Sequence, residues 1–158
     1  MNMFIFDEDM QKNVEMYPDV YTYKMLVESL QVLSSAYYFT NEEDLAPYKL
    51  THRNHPVCIW VRESLSNWRY LYELSLHIYG EYNYRYGKQH KSGELLFEIV
   101  EPKLQDIGLT EFPQCFDKIY RCNSVVEGYR KYFNAEKQHL IKYKNRKIPD
   151  WVLTNENN

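Results

Sequence analysis

A chain of 158 residues is the size of one domain with one core. Its formal net charge of -3 and pI near 6.0 exclude adhesion to nucleic acid through overall charge, so any polyanion has to be met by a local patch. Cys58, Cys115 and Cys122 show no CxxC pairing and their number is odd, which argues against a disulfide framework; no apolar run reaches about 18 residues and no basic leader precedes one, so a reducing, cytoplasmic setting and no membrane are expected.

Met3 to Phe6 is a short apolar run ending in an acidic cluster, expected as a brief extended segment or buried plug before a helix starting near Asp7. Pro18 and Asp19 interrupt that helix. From Asp19 as N-cap, Tyr23, Leu26, Val27, Leu30, Leu33 and Tyr37 recur at helical steps and predict a helix to about Tyr38. The polar stretch Asn41 to Asn54, with Pro47, reads as a loop. Pro56 suits the first turn of a new helix, which Ile59, Trp60, Leu65, Trp68, Leu71, Tyr72, Ile78, Tyr79 and Tyr82 continue to Gly87, with a break near Ser64 to Asn67 that Ser66 would recap.

Ser92 is expected to cap a helix to about Asp106, against Pro102 in its second half, and Leu109 to Cys122 looks irregular. Ser124 and Glu127 form a capping box for a last long helix whose apolar set runs from Val125 to Leu140 and Tyr143. Trp151 is expected to fold back as a clasp. The fold class is therefore all-α: a single compact domain over 1–153, of about five to six helices with a short extended N-terminal segment, then a frayed tail at 154–158. Aromatic residues reach 16%, with 16 tyrosines, so phenols are expected along the core boundary.

Four constellations carry possible chemistry. His52, Asn54 and His55, before the helix at Pro56 and near Arg53 and Arg62, offer an anion site, or else His55 simply caps the helix. The same loop with Cys58 lacks a fourth metal ligand, and no metal or cofactor is expected. Glu73, His77, Glu81 and Arg85 fall at four-residue steps, as an acid-base row or a ladder of surface pairs; Glu81 and Arg85 are the stronger functional candidates. Arg85, Gly87, Lys88, His90 and Lys91 suit a phosphate grip beside a proton-moving imidazole, or a solvated basic turn. Arg130, Lys131, Lys137, Lys142, Lys144 and Arg146 interleave with Tyr129, Tyr132, Phe133 and Tyr143, as cations and aromatic platforms do for unstacked nucleic acid, or as a soluble helix face over a core stripe.

The run DxxxxKMxxES at Asp19 to Ser29, THxNHPxxIWVRES at Thr51 to Ser64, EYxxRYGKxHxS at Glu81 to Ser92, FPQ at Phe112 to Gln114 and YRxYF at Tyr129 to Phe133 resembles a family of small uncharacterised bacteriophage proteins. That family is in turn similar to pyrimidine-dimer DNA glycosylase-like proteins. The resemblance implies a helical protein of the host-cell cytoplasm that acts on a damaged or modified base. Its polar positions match here at Asp19, Lys24, Glu28, His52, Asn54, His55, Arg62, Asn67, Glu81, Arg85, Lys88, His90 and Arg130. The chain departs from the pattern at Tyr21, where a histidine is usual, and at the FDKIY after Cys115, where a methionine-proline-aspartate stretch is typical.

Dimer glycosylases attack the sugar carbon with an N-terminal amine left by methionine removal; Asn2 is too bulky for efficient trimming, so Lys24 or Lys88, with a pKa lowered by burial, is the expected substitute. The expected site thus has Lys24, Glu28, Glu81 and His90 in chemistry, with Arg62, Arg85 and Lys88 on phosphate. Trp60 and tyrosines would stack the base, and His52, Asn54, His55, Asn67 and Arg130 complete the binding set. The partner is then a nucleic acid or nucleotide. The rival is a non-catalytic accessory protein that binds a host protein or sequesters a nucleotide signal, with a homodimeric module as a further option. Convergence of Glu28, Glu81 and His90 in one pocket separates chemistry from binding.

Overall fold

Six α-helices close around a buried N-terminal segment in the computed structural model, which describes residues 1–154: α1 (Met10–Glu15), α2 (Asp19–Tyr37), α3 (Pro56–Glu63), α4 (Leu65–Tyr86), α5 (Lys91–Leu95) and α6 (Val125–Glu136). The described residues contain no strand, and the expected all-α architecture is the one adopted. The tail expected to fray lies, from residue 155 on, outside the described residues.

Met3, Phe4, Ile5 and Phe6 are buried without a neighbouring strand, so their backbone groups need side-chain partners. Asn13 supplies two: its Oδ1 accepts the Phe6 N–H at 2.6 Å and its Nδ2 donates to the Phe4 carbonyl at 3.0 Å. The Tyr17 hydroxyl donates to the same carbonyl at 2.6 Å. Phe4 stacks on Tyr21 with ring centroids 4.0 Å apart, and Phe6 packs on Phe133 and Trp151. Trp151 thereby closes the core as the expected clasp.

Long helices α2 and α4 pack on each other, α3 packs on both, and α1 lies on α4. Leu26, Leu30 and Leu33 of α2 meet a core that includes Val57 and Val61 of α3 and Trp68, Leu71 and Ile78 of α4. The α3–α4 break falls at Ser64, whose backbone is extended. Its cap is not Ser66 but Asp106, forty residues on in sequence, whose Oδ1 accepts from the Ser66 N–H (3.2 Å), the Ser66 and Ser64 hydroxyls (2.6 and 3.1 Å) and the Gly108 N–H (3.0 Å). Gly87, at φ +60°, ends α4 in the left-handed conformation that a side chain would strain.

Two helices are shorter than their sequence pattern predicts. The one expected from Ser92 to Asp106 stops at Leu95, because the following backbone is used elsewhere. The Tyr37 hydroxyl donates to the Val100 carbonyl, the Lys103 N–H donates to Glu42 and the Leu65 N–H takes the Gln105 carbonyl. The last helix starts at the Ser124 cap as expected but ends at Glu136, not near Tyr143. Residues 137–151 instead form a strap. Its Lys142 carbonyl accepts the Asp19 N–H at 2.7 Å, its Lys144 N–H donates to Asp19 Oδ1 at 2.8 Å, and Asn145 takes φ +59°, none of which a continuing helix allows.

Candidate functional site

Where the N-terminal segment, α2 and the first turn of the strap meet, a cavity of about 290 Å³ opens. Helix α2 places Tyr21, Lys24 and Glu28 on one face, at three- and four-residue steps. Opposite them come Tyr132 of α6 and Lys137, His139 and Leu140 of the strap, with Cys115 and Asn2 at the floor. Asn2 is fixed by accepting the Tyr129 hydroxyl at 2.7 Å and donating to the Cys115 carbonyl at 3.2 Å.

Glu28 is the electrostatic centre of this cavity. Lys24 Nζ lies 3.7 Å from its Oε1 and the Met1 amino nitrogen 3.5 Å from its Oε2, so each carboxylate oxygen faces one amine. The Glu28 side chain is only 14% exposed, whereas that of Lys24 is 60% exposed and able to reach a ligand at the mouth; the burial expected of Lys24 or Lys88 is found at neither, since both are exposed. Burial raises the Tyr21 phenol above its ordinary range, and its hydroxyl has no hydrogen-bond partner among the described residues. The hydroxyl itself is buried away from the opening, so Tyr21 lines the cavity without presenting a hydrogen-bonding atom to it. Burial also pushes the Cys115 thiol up to about 11, so it is a neutral wall, not a nucleophile. Lys137 stands over the Tyr132 ring at 5.4 Å.

His55 joins the edge of this charge cluster. It caps α3 by accepting the Val57 N–H at Nδ1, 3.3 Å away, and its pKa is lowered first by burial, then by the Met1 ammonium and His52, with Glu28 opposing. His52, at φ +49°, and Asn54 are exposed in the turn before it. Arg62 packs over the Phe39 ring at 3.9 Å and donates to the Arg53 carbonyl. Cys58 is buried beside the Met1 sulfur, and among the described residues no three His, Cys, Asp or Glu groups are placed to hold a metal ion.

The other expected site residues lie elsewhere. Arg85 is 1% exposed and donates to Glu81 Oε1 (2.7 Å), Asp19 Oδ1 (3.1 Å), the Tyr17 carbonyl (2.8 Å) and the Glu15 carbonyl (3.1 Å). Glu81 also takes two bonds from Arg146 at 2.9 Å. This network ties α1, α2, α4 and the strap together, with its bonding capacity turned inward. His90 Nδ1 caps α5 on the Ser92 N–H, and burial lowers its pKa; Lys88 is exposed in the turn before it. Asn67 holds the Trp60 carbonyl and Thr110, Trp60 is buried among Tyr70 and Phe112, and Arg130 donates to the Phe6 carbonyl.

Of the proton-transfer groups expected to converge, Glu28 and Lys24 share the cavity, while Glu81 and His90 do not join them. Sequence reasoning missed His139 and the floor at Cys115 and Asn2. His139 carries no local signal, because the helical pattern through Leu140 hides the turn that delivers it. No helix among the described residues is long and apolar enough to cross a membrane. Neither protein-family models, curated proteins nor solved structures give a match to this chain.

Proposed function

We propose that the cavity at Glu28 takes a nucleotide unit of a nucleic acid and cleaves its nucleobase–sugar bond, the activity that the family resemblance implies. The observation that carries this reading is the Glu28 carboxylate, 14% exposed, with an amine at each oxygen on the wall of the cavity. An amine nitrogen bonds to the sugar C1′ as the C1′–N bond to the base breaks. The proton that the amine loses passes through Glu28 to the departing base, and opening of the sugar ring leaves an imine that water resolves. Lys24 is the amine with the reach; His139 and Lys137 face the phosphates.

The second reading is a protein that holds a nucleotide without turnover. It is favoured by the engagement of Glu81 and His90 in structural bonds outside the cavity. One experiment separates the two. Incubation with oligonucleotides carrying damaged bases, in the presence of borohydride, traps an imine as a stable adduct, and peptide mapping places it on Lys24 or on the Met1 peptide. Glu28→Gln abolishes trapping if the proposal holds. Tight binding with neither base release nor adduct establishes the non-catalytic reading.

A further inference from the structure

Next to the cavity, and sharing Val20, His139 and Leu140 with it, runs a wider groove of about 770 Å³ between α2, the end of α4 and the strap. We infer that this groove binds a single-stranded stretch of nucleic acid, holding its phosphates on Lys142 and Lys144 and stacking an unpaired base on Tyr23. The inference rests on the nucleic-acid reading of the adjoining cavity and adds the form of the substrate: unpaired, not duplex.

Its basis is the way the strap is fixed. The bonds that hold residues 142–144 to Asp19 use backbone groups, so the lysine side chains take no part in anchoring and are exposed. Among the described residues neither lysine lies within ion-pair distance of a carboxylate. The one acid on the groove wall, Asp19, is already matched by Arg85 at 3.1 Å and by the Lys144 N–H. In a protein of net charge -3 this is therefore a locally cationic wall. Lys144 stands over the Tyr86 ring at 5.2 Å, and beside these cations Tyr23, 44% exposed, offers an open aromatic face. Cations beside an open ring select unpaired strands, because a duplex keeps its base faces covered and leaves Tyr23 nothing to stack on.

The test is fluorescence anisotropy of a labelled oligothymidylate and of a duplex of the same length, over a range of salt concentrations. The wild-type protein binds the single strand more tightly. The joint change Lys142→Ala and Lys144→Ala lowers the slope of log K against log salt by about 1.4, two phosphates at about 0.7 each. Tyr23→Ala weakens binding roughly fivefold or more and leaves the slope unchanged. The undamaged oligothymidylate offers the cavity no base to excise, so strand binding is scored apart from imine trapping, and failure of the groove and failure of the cavity chemistry are read separately. If the lysine change lowers the melting temperature, Lys142→Gln with Lys144→Gln must reproduce the slope. An unchanged slope, tighter binding of the duplex, or absence of binding by the wild-type protein overturns the inference.

Discussion

Arg85 offers the sharpest test of how this fold is held together. Replacing it with alanine removes four hydrogen bonds at once, two to carboxylates and two to carbonyls of the α1 end, from a side chain that is 1% exposed. Breaking a buried ion pair costs about 3–5 kcal/mol when the partner is left bare. Here neither acid is left bare: Glu81 keeps both bonds to Arg146, and Asp19 keeps the Lys144 N–H. The lower end applies, so Arg85→Ala costs about 3 kcal/mol. At about 2–4 °C per kcal/mol for a domain of this size, the melting temperature falls by about 6–12 °C. Urea unfolding followed by tryptophan fluorescence and far-ultraviolet circular dichroism, with an unchanged denaturant slope, reads the loss. Arg85→Lys recovers only part of it, since one ammonium cannot span acceptors arranged for a planar fork. A loss below about 1 kcal/mol for the alanine variant would show that the network is decorative and refute the reasoning.

Three further outcomes follow from local geometry. Gly93→Ala sets a methyl 2.2 Å from Cδ2 of the buried Tyr79 ring and costs about 1–3 kcal/mol despite alanine's better helix propensity; a melting temperature at or above wild type contradicts this. Asp106 is held at about 2, first by the Ser66 hydroxyl and then by the Gly108 N–H, against an ordinary 3.8. Its contribution is present above the ordinary value and lost as pH falls toward 2, so Asp106→Asn flattens the acid limb of stability against pH. His90 accepts the Ser92 N–H only when neutral and titrates below its ordinary 6.5; its cap is complete above that value and lost as pH falls through the lower folded one. His90→Asn, which keeps a capping acceptor, removes that part of the slope in denaturation curves taken from neutral to mildly acid pH.

Elements written in short-range signals were legible in the sequence. Apolar spacing along α2, Pro56 at the start of α3, Gly87 after α4 and the Ser124 cap of α6 each depend on residues within a turn or two of one another. What was not legible depends on partners far along the chain. Asp19 reads as a cap for its own helix, yet its carboxylate serves Arg85 and Lys144; Ser66 reads as a cap, yet Asp106 takes that position. The strap has helical apolar spacing through Tyr143, and its bonds to Asp19, Glu81 and the Arg85 carbonyl hold it out of the helix. For the site, Lys24 and Glu28 were visible as one stripe of one helix. Their distance from His139, and the distribution of Glu81 and His90 to other places, are tertiary facts.

The buried N-terminal segment also makes the candidate site depend on residues far apart in the chain. Asn2 bonds to Cys115 and Tyr129, 113 and 127 residues away, and the Phe6 carbonyl to Arg130, 124 residues away. Residues 2–6 meet Tyr129 and Arg130 only once α6 is in place. Without α6, Phe4 and Phe6 lose part of their cover and keep only Asn13, Tyr17 and Tyr21 from the first half of the chain. The candidate cavity, walled by both ends of this arrangement, thus rests on contacts of high sequence separation and is complete only with α6 and the strap in place.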